Sequence, residues 1–344
     1  MTDINIQTYY QKYEELPIID VRSPGEYSKG HIPGAYSIPL FDNDERAHIG
    51  TVYKQQSKED AIELGYKYVT PKLQWYVDEA LKVAPNKTVV VHCWRGGMRS
   101  HSFAKHLEEN GFNDVLVIDK GYKSFRNYVL SSFDIQAELK VLGGYTGSGK
   151  TYILKSLANA GCQVVDLECL ANHKGSAFGA IGEKEQPSVE HFENMLFDKW
   201  RKLDYNKPIY IEDESHNIGK VKLPMNLYTQ IRNADLFFLE VPKEMRANIL
   251  VKDYAGVNNE LLKKGILNIS KRLGGYVTNL ALEALEKNDY FQVAMFTLNY
   301  YDKSYMRGML RRDNNKVFKI ELSDADPETN AAYIKNIVEE YFDK

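Results

Sequence analysis

Cys93 stands in the string HCWRGGMRS, His92 to Ser100, directly after the apolar run Thr88 to Val91 and directly before a helical pattern. A tight glycine-containing loop at a helix N-terminus turns several backbone N–H groups inward. The helix dipole, with Arg95 and Arg99 nearby, should then hold the thiol of Cys93 below its ordinary pKa. The expected chemistry is that of a thiolate nucleophile above an anion cradle. Cys162 and Cys169 have no such setting, and their six-residue gap does not match a zinc knuckle.

The second chemical string is GGYTGSGKT, Gly143 to Thr151. Gly144, four residues, then Gly149, Lys150 and Thr151 make a P-loop, with a strand pattern before it and a helix expected over Lys150 to Ala160. Gly144, Gly147, Ser148 and Gly149 let backbone amides wrap a phosphate or diphosphate, Lys150 neutralises it, and Thr151 offers a hydroxyl to magnesium. Such a cradle recognises polyphosphate, whether or not a nucleoside is attached. The strand Ile209 to Glu212 runs into Asp213 and Glu214, which makes Glu212 and Glu214 candidate substrate or metal contacts; no metal site is certain. Small, polar and glycine-rich, Ala171 to Gly182 reads as a substrate loop with His173 and Lys174 as its contacts.

The elements that must position these strings follow an alternating order. Pro17 to Val21, Thr88 to His92 and Val115 to Ile118 read as buried strands, with helices over Pro71 to Lys82 and Ser100 to Asn110. Leu139 to Leu142, Gln163 to Leu167, Ile209 to Glu212 and Leu236 to Val241 form a second series, closed by an amphipathic helix over Glu328 to Phe342. Strands alternating with helices imply α/β architecture with parallel sheets. A length of 344 residues accommodates two such domains, 1–133 and 134–344. With 26% charged and 43% hydrophobic residues the chain is ordinary globular material. It has no apolar run of membrane-spanning length and no signal-peptide pattern, so a cytoplasmic protein that does not enter a membrane is expected. A net charge of −3 hides a basic stretch: residues 199–319 hold 21 Lys and Arg against 14 Asp and Glu. In it, Arg307, Arg311 and Arg312 are candidates to follow a nucleic-acid backbone, and Tyr300, Tyr301 and Tyr305 to stack on bases.

Upstream of the cysteine, Ile19 to Ala35 reads IDVRSPGEYSKGHIPGA, which resembles the signature of rhodanese-fold domains over roughly residues 1 to 130. The resemblance implies that Asp20 and Arg22 organise the site, that Gly30, His31, Pro33 and Gly34 form a turn in which His31 is structural, and that the cysteine carries a persulfide or its selenium counterpart. The C-x5-R spacing from Cys93 to Arg99 is also shared by cysteine phosphatases and is one residue longer than the loop of many sulfur carriers. The loop alone leaves sulfur or selenium transfer and phosphate hydrolysis both open.

The cysteine loop CWRGGMRS, the insert NDERAHIGTVYKQ (Asn43 to Gln55), GGYTGSGKT, DLECLANHKGSAFG, EDESHNIG and RLGG, in one order, resemble the tRNA 2-selenouridine synthase family over nearly the whole chain. The resemblance implies an N-terminal rhodanese-like domain and a C-terminal P-loop NTPase-like domain with a basic helical part. It also implies two reactions on the wobble 2-thiouridine of tRNA: S-geranylation from geranyl diphosphate, then replacement of the geranylthio group by selenium from selenophosphate. Cys93, Arg95 and Arg99 would be catalytic and the P-loop would hold the diphosphate. No cofactor would be tightly bound; geranyl diphosphate and selenophosphate are co-substrates, selenophosphate synthetase is the supplier of the latter, and magnesium is an option. Two rivals come from other classes: a rhodanese-type cysteine phosphatase or sulfurtransferase joined to an ATP-dependent P-loop kinase, and a noncatalytic P-loop switch with a partner-binding module.

Overall fold

Runs of Val, Ile and Leu without polar alternation become strands covered on both faces, as parallel sheets require. The computed structural model describes every residue except Ala255, Leu310, Arg311, Ala325, Asp343 and Lys344. The chain divides into two compact units, Met1–Ser132 with Glu193–Asp198, and Phe133–Phe192 with Lys199–Lys344. The segment Glu193–Asp198 thus lies with the first unit, although the sequence assigns it to the second domain.

In the first unit, β1 (Thr2–Ile4), β2 (Ile18–Asp20), β3 (Tyr36–Ser37), β4 (Thr88–His92) and β5 (Asp114–Ile118) form one parallel sheet in the order β1-β5-β4-β2-β3. The helices are α1 (Ile6–Thr8), α2 (Pro24–Lys29), α3 (Asn43–Gln55), α4 (Lys58–Val69), α5 (Leu73–Val83), α6 (Met98–Glu109) and α7 (Gly121–Ser132). β4 is central, and Val89, Val91, Ile19 and Val117 share a core with Phe103 and Leu107 of α6 and Tyr76 of α5. Each such fully buried side chain contributes about 2 kcal/mol of hydrophobic stabilisation. That core fixes where β4 ends and therefore where Cys93 stands. The insert Asn43 to Gln55 is α3, started by an Asp42–Glu45 capping box.

In the second unit, β6 (Leu139–Gly144), β7 (Gln163–Val165), β8 (Ile209–Glu212), β11 (Asp235–Glu240) and β12 (Val317–Glu321) form a parallel sheet in the order β12-β11-β6-β8-β7. β9 (Asn217–Ile218) and β10 (Val221–Lys222) pair separately as an antiparallel hairpin. The helices are α8 (Lys150–Asn159), α9 (Leu167–Ala171), α10 (Val189–Trp200), whose middle, Glu193–Asp198, lies with the first unit, α11 (Met225–Asn233), α12 (Lys243–Tyr254), α13 (Asn259–Leu273), α14 (Gly275–Glu286), α15 (Tyr290–Met309) and α16 (Pro327–Phe342). From β6 the chain runs first to β7 on one side and later to β11 on the other. The crevice beyond the C-terminal end of β6 is therefore the switch point of the sheet, where open α/β sheets bind ligands.

Several elements lie outside the strand and helix assignments made from sequence. Among them, β12 straddles the end of the basic stretch, and α13, α14 and α15 build a core of their own around Leu262, Ile266, Ala281, Leu285 and Val293. Phe178, from the glycine-rich loop after α9, packs into that core against Gly265 of α13, where any Cβ would collide with its ring.

Candidate functional site

Cys93 is the first residue beyond β4, and the loop Trp94–Gly97 returns the chain to the start of α6. Gly96 (φ +57°) and Gly121 (φ +52°) meet back to back: a Cβ on Gly121 would fall on the Cys93 carbonyl and the Gly96 amide. Tyr122 and Lys123 then donate their N–H groups to the carbonyls of Cys93 (2.8 Å) and Trp94 (3.0 Å), clamping the loop from behind. Gly121→Ala should therefore lower the unfolding free energy by about 3 kcal/mol through overpacking at a left-handed position, read as a fall in the urea midpoint.

Cys93 is 3% exposed, and its Sγ lies 3.2 Å from the Ser100 hydroxyl. Burial pushes the thiol up. The Ser100 hydroxyl, the Arg99 charge and the N–H groups of Gly97 and Arg95 outweigh it, and the net shift is downward. Arg99 donates to Glu26 (Nη1 to Oε2, 2.9 Å), and the capping box between Ser23 and Glu26 at the start of α2 fixes that carboxylate. Arg95 departs from expectation: its side chain is exposed, and its backbone N–H is what reaches the sulfur. Ser100 and Glu26 were not singled out in the sequence; the serine immediately after C-x5-R and the S-x-x-E spacing from Ser23 to Glu26 are the signals that carry them.

Behind the loop, Arg22 is fully buried in a bidentate pair with Asp20 (Nε to Oδ1 2.9 Å, Nη2 to Oδ2 2.5 Å), donates to the Gly30 carbonyl, and lies 3.6 Å from the centre of the Tyr122 ring. His31 stacks on Tyr27 and bonds its carbonyl, a structural placement. Asn194 donates to the His31 carbonyl and the Tyr122 hydroxyl.

His92, also fully buried, has its pKa pushed down to about 4 by burial, against the pull of Asp20, and is neutral in the fold. An unfolded histidine titrates near 6.5, so between those values the unfolded chain binds more protons and stability rises with pH. The contribution is complete above pH 6.5 and lost as pH falls toward 4, up to about 3 kcal/mol. His92→Gln should flatten that part of the acid dependence in urea titrations at pH 7 and pH 4.5.

In the second unit, Gly144, Gly147 and Gly149 all hold positive φ, as the tight wrap of the loop demands. Lys150 Nζ donates to the Gly144 carbonyl (3.1 Å), and the Tyr305 hydroxyl accepts the Gly144 N–H (3.1 Å) while donating to Asp213 Oδ2 (2.7 Å). Ser148 is 3% exposed, and its hydroxyl has no partner. Arg246 braces the loop: it donates to the Thr146 carbonyl and, through both Nη atoms, to Asp302 at 2.9 Å. Thr151 Oγ1 donates to Glu168 Oε2 (3.1 Å).

Glu168 belongs to a carboxylate cluster the sequence pointed to only through Glu212 and Glu214. Glu212 is fully buried; its Oε2 accepts the N–H groups of Leu167 (2.8 Å) and Glu168 (3.0 Å), which makes it an anchor for α9. Burial pushes Glu214 up to about 8, with the Glu168 charge adding to it; the Glu168 carboxyl is raised as well, first by burial, and the two share a hydrogen bond. At neutral pH this pair holds a proton. His173 is wedged between Gly179 and Gly219, and Lys174 pairs with Glu183 (3.3 Å) beside the Tyr254 ring. Among the described residues, no group of three or more His, Cys, Asp or Glu side chains is arranged to hold a metal ion.

Residues 6–128 match the rhodanese-like domain, and residues 137–327 match the AAA domain of tRNA 2-selenouridine synthase. The chain belongs to the tRNA 2-selenouridine synthase family. A tRNA 2-selenouridine synthase of Bdellovibrio bacteriovorus is 32% identical over 89% of this chain and 92% of its own, and one of Marinobacter nauticus 35% over 85% and 88%. Another, from Nitrosomonas europaea, is 38% identical; the match spans 70% of this chain and 64% of that relative. Among the described residues, no helix is long and apolar enough to cross a membrane.

For this member of the tRNA 2-selenouridine synthase family the basic stretch requires correction. Arg312 is 7% exposed and caps the end of α11, donating to the carbonyls of Ile231, Arg232 and Ala234 and to Asp213 Oδ1 (2.5 Å). A guanidinium spent on buried acceptors is not available to a phosphate backbone. Tyr305 is likewise consumed by the P-loop, Tyr300 and Tyr301 pack against the core of α13–α15, and Lys319 pairs with Glu240 (2.6 Å). Arg307 remains exposed, and Arg311 lies outside the described residues. Arg312→Ala should thus cost about 2 kcal/mol of stability, measured by urea unfolding, by removing the donor to the carbonyls of Ile231, Arg232 and Ala234 while Asp213 keeps Arg232 (3.2 Å) and Tyr305, and should leave the salt dependence of tRNA binding unchanged.

Proposed function

We propose that this chain converts the wobble 2-thiouridine of tRNA to 2-selenouridine in two transfers, one served by each loop. The chain is a tRNA-modifying enzyme of the transferase class; the intermediate and the donors are the proposal. In the first transfer the sulfur of 2-thiouridine attacks the first carbon of geranyl diphosphate, the carbon–oxygen bond breaks, and diphosphate leaves. Lys150 and the amides of Gly147 to Thr151 would take up the charge that develops on that leaving group. A magnesium ion carried by the diphosphate would meet Thr151 and Glu168, and the high proton affinity of Glu168 and Glu214 fits carboxylates that a cation would relieve. In the second transfer a carbon–selenium bond replaces the carbon–sulfur bond, and geranylthiol leaves. The Cys93 thiolate would attack the phosphorus of selenophosphate, so that the phosphorus–selenium bond breaks and the selenide released attacks the carbon that loses geranylthiol; water then frees the phosphate from Cys93, with Arg99 and the loop amides facing the anion.

The observation that carries this reading is the joining, in one chain of this family, of a thiol held below its ordinary pKa with a P-loop whose lysine turns to its own loop carbonyl. Selenophosphate synthetase is the natural supplier of the donor, and the cytoplasm is where tRNA and both donors meet. The test is mass spectrometry of nucleosides from 2-thiouridine tRNA incubated with the protein. Both donors together should yield 2-selenouridine, and geranyl diphosphate alone S-geranyl-2-thiouridine. Selenium incorporation undiminished without geranyl diphosphate would overturn the two-step order. A kinase would instead consume ATP without tRNA.

A further inference from the structure

Beside the P-loop, on the side of Gly149, lies a cavity of about 220 Å³ lined by Ser148, Ile153, Val241, Met245, Ile249 and Pro327, with Tyr152, Lys252, Asp324 and Asn330 at its polar parts. We infer that this cavity holds the hydrocarbon end of the diphosphate substrate, whose phosphates lie in the adjoining P-loop. The inference rests on the reading of the P-loop as a diphosphate site and adds to it the place and chemistry of the other half of the ligand.

Three observations carry it. The cavity and the phosphate cradle share Ser148 and Gly149, so a ligand seated in one continues into the other. The Ser148 hydroxyl is buried and without a partner at that junction, which is the state of a polar group awaiting a ligand oxygen. The volume is below the roughly 300 Å³ at which whole-ligand pockets begin, as suits a site for part of a ligand whose charged end lies elsewhere.

The lining also selects the chemistry. Ile153, Val241, Met245, Ile249 and Pro327 give an aliphatic wall on which a branched chain packs. Two of the polar atoms that a nucleoside base could use are already engaged: Asn330 Nδ2 donates to the Asp324 carbonyl (3.0 Å), and Asp324 Oδ1 accepts the Asp326 N–H (2.9 Å). Ile249, on α12, touches the P-loop at Gly149, where a Cβ would sit 3.6 Å from its Cδ1. A larger side chain at 249 would fill the cavity from its wall.

The test is calorimetric titration of the full chain with inorganic diphosphate, dimethylallyl diphosphate, geranyl diphosphate, farnesyl diphosphate, ADP and GDP. Affinity should climb by on the order of 100-fold from the dimethylallyl to the geranyl compound, as five further carbons leave water, and gain little beyond it once the cavity is full. Ile249→Trp should cut geranyl diphosphate affinity by at least 30-fold and leave inorganic diphosphate affinity within about twofold, which also shows that the variant is folded. Equal affinity across the chain-length series, or a loss in the variant common to inorganic and geranyl diphosphate, would overturn the inference while leaving the P-loop a diphosphate site. Tight ADP or GDP binding abolished by Ile249→Trp would give the cavity to a nucleoside instead. Absence of any diphosphate binding would remove the reading of the P-loop and this inference together.

Discussion

Cys93→Ala is expected to stop selenium incorporation while S-geranyl-2-thiouridine accumulates. The thiol is 3% exposed, its net pKa shift is downward, and its partners Ser100, Arg99 and the loop amides all belong to the first unit. No group of the P-loop is among them, so geranyl transfer should keep its rate. Removing a nucleophile from its cradle abolishes the step that uses it, a loss of 10³-fold or more on the scale of other covalent catalysts. Nucleoside mass spectrometry reads both products in one sample. Equal loss of geranylation in a folded variant would show that the two transfers share the thiol. Cys162 and Cys169, whose thiols are pushed up by burial, should accept serine with little effect.

The converse should hold for Lys150→Ala. The diphosphate would lose the one ammonium the loop places at its edge, and a preorganised charge at a developing oxyanion is worth roughly 10²- to 10³-fold in rate. Geranyl transfer should fall by that factor, while tRNA supplied already geranylated should still be converted to the selenium product at nearly the rate of the unaltered protein. Failure of that bypass with tRNA binding intact would put the P-loop in both steps. Thr151→Ala should follow the same pattern, because its hydroxyl stands with Glu168 on the same side of the cradle.

Much of this was legible from residue order alone, since a loop motif is a local object. HCWRGGMRS and GGYTGSGKT each carry their own glycines, their own charge and the strand and helix that frame them, so both sites and the parallel sheets beneath them follow from short windows. Strand β4 occupies Thr88–His92 and strand β8 Ile209–Glu212, as their apolar runs imply. Helix α3 and strand β12 were not, because α3 has little apolar periodicity and β12 sits among lysines whose charges belong to its edge and ends. The pairing of β12 with β11 is a long-range fact that no window contains.

The sequence by itself determined the two nucleophile and phosphate cradles, the α/β class and the family. The tertiary structure alone decided which charges remain for a ligand. Arg312, Tyr305 and Asp213 look like surface chemistry in a basic stretch, yet they close on one another behind the P-loop; Arg99, beside the cysteine, is held by Glu26, 73 residues away. A charged side chain can satisfy either a buried partner or a substrate, and which it meets depends on the chain segments that folding brings beside it. Composition counts the cations; burial and partners determine which of them still face outward.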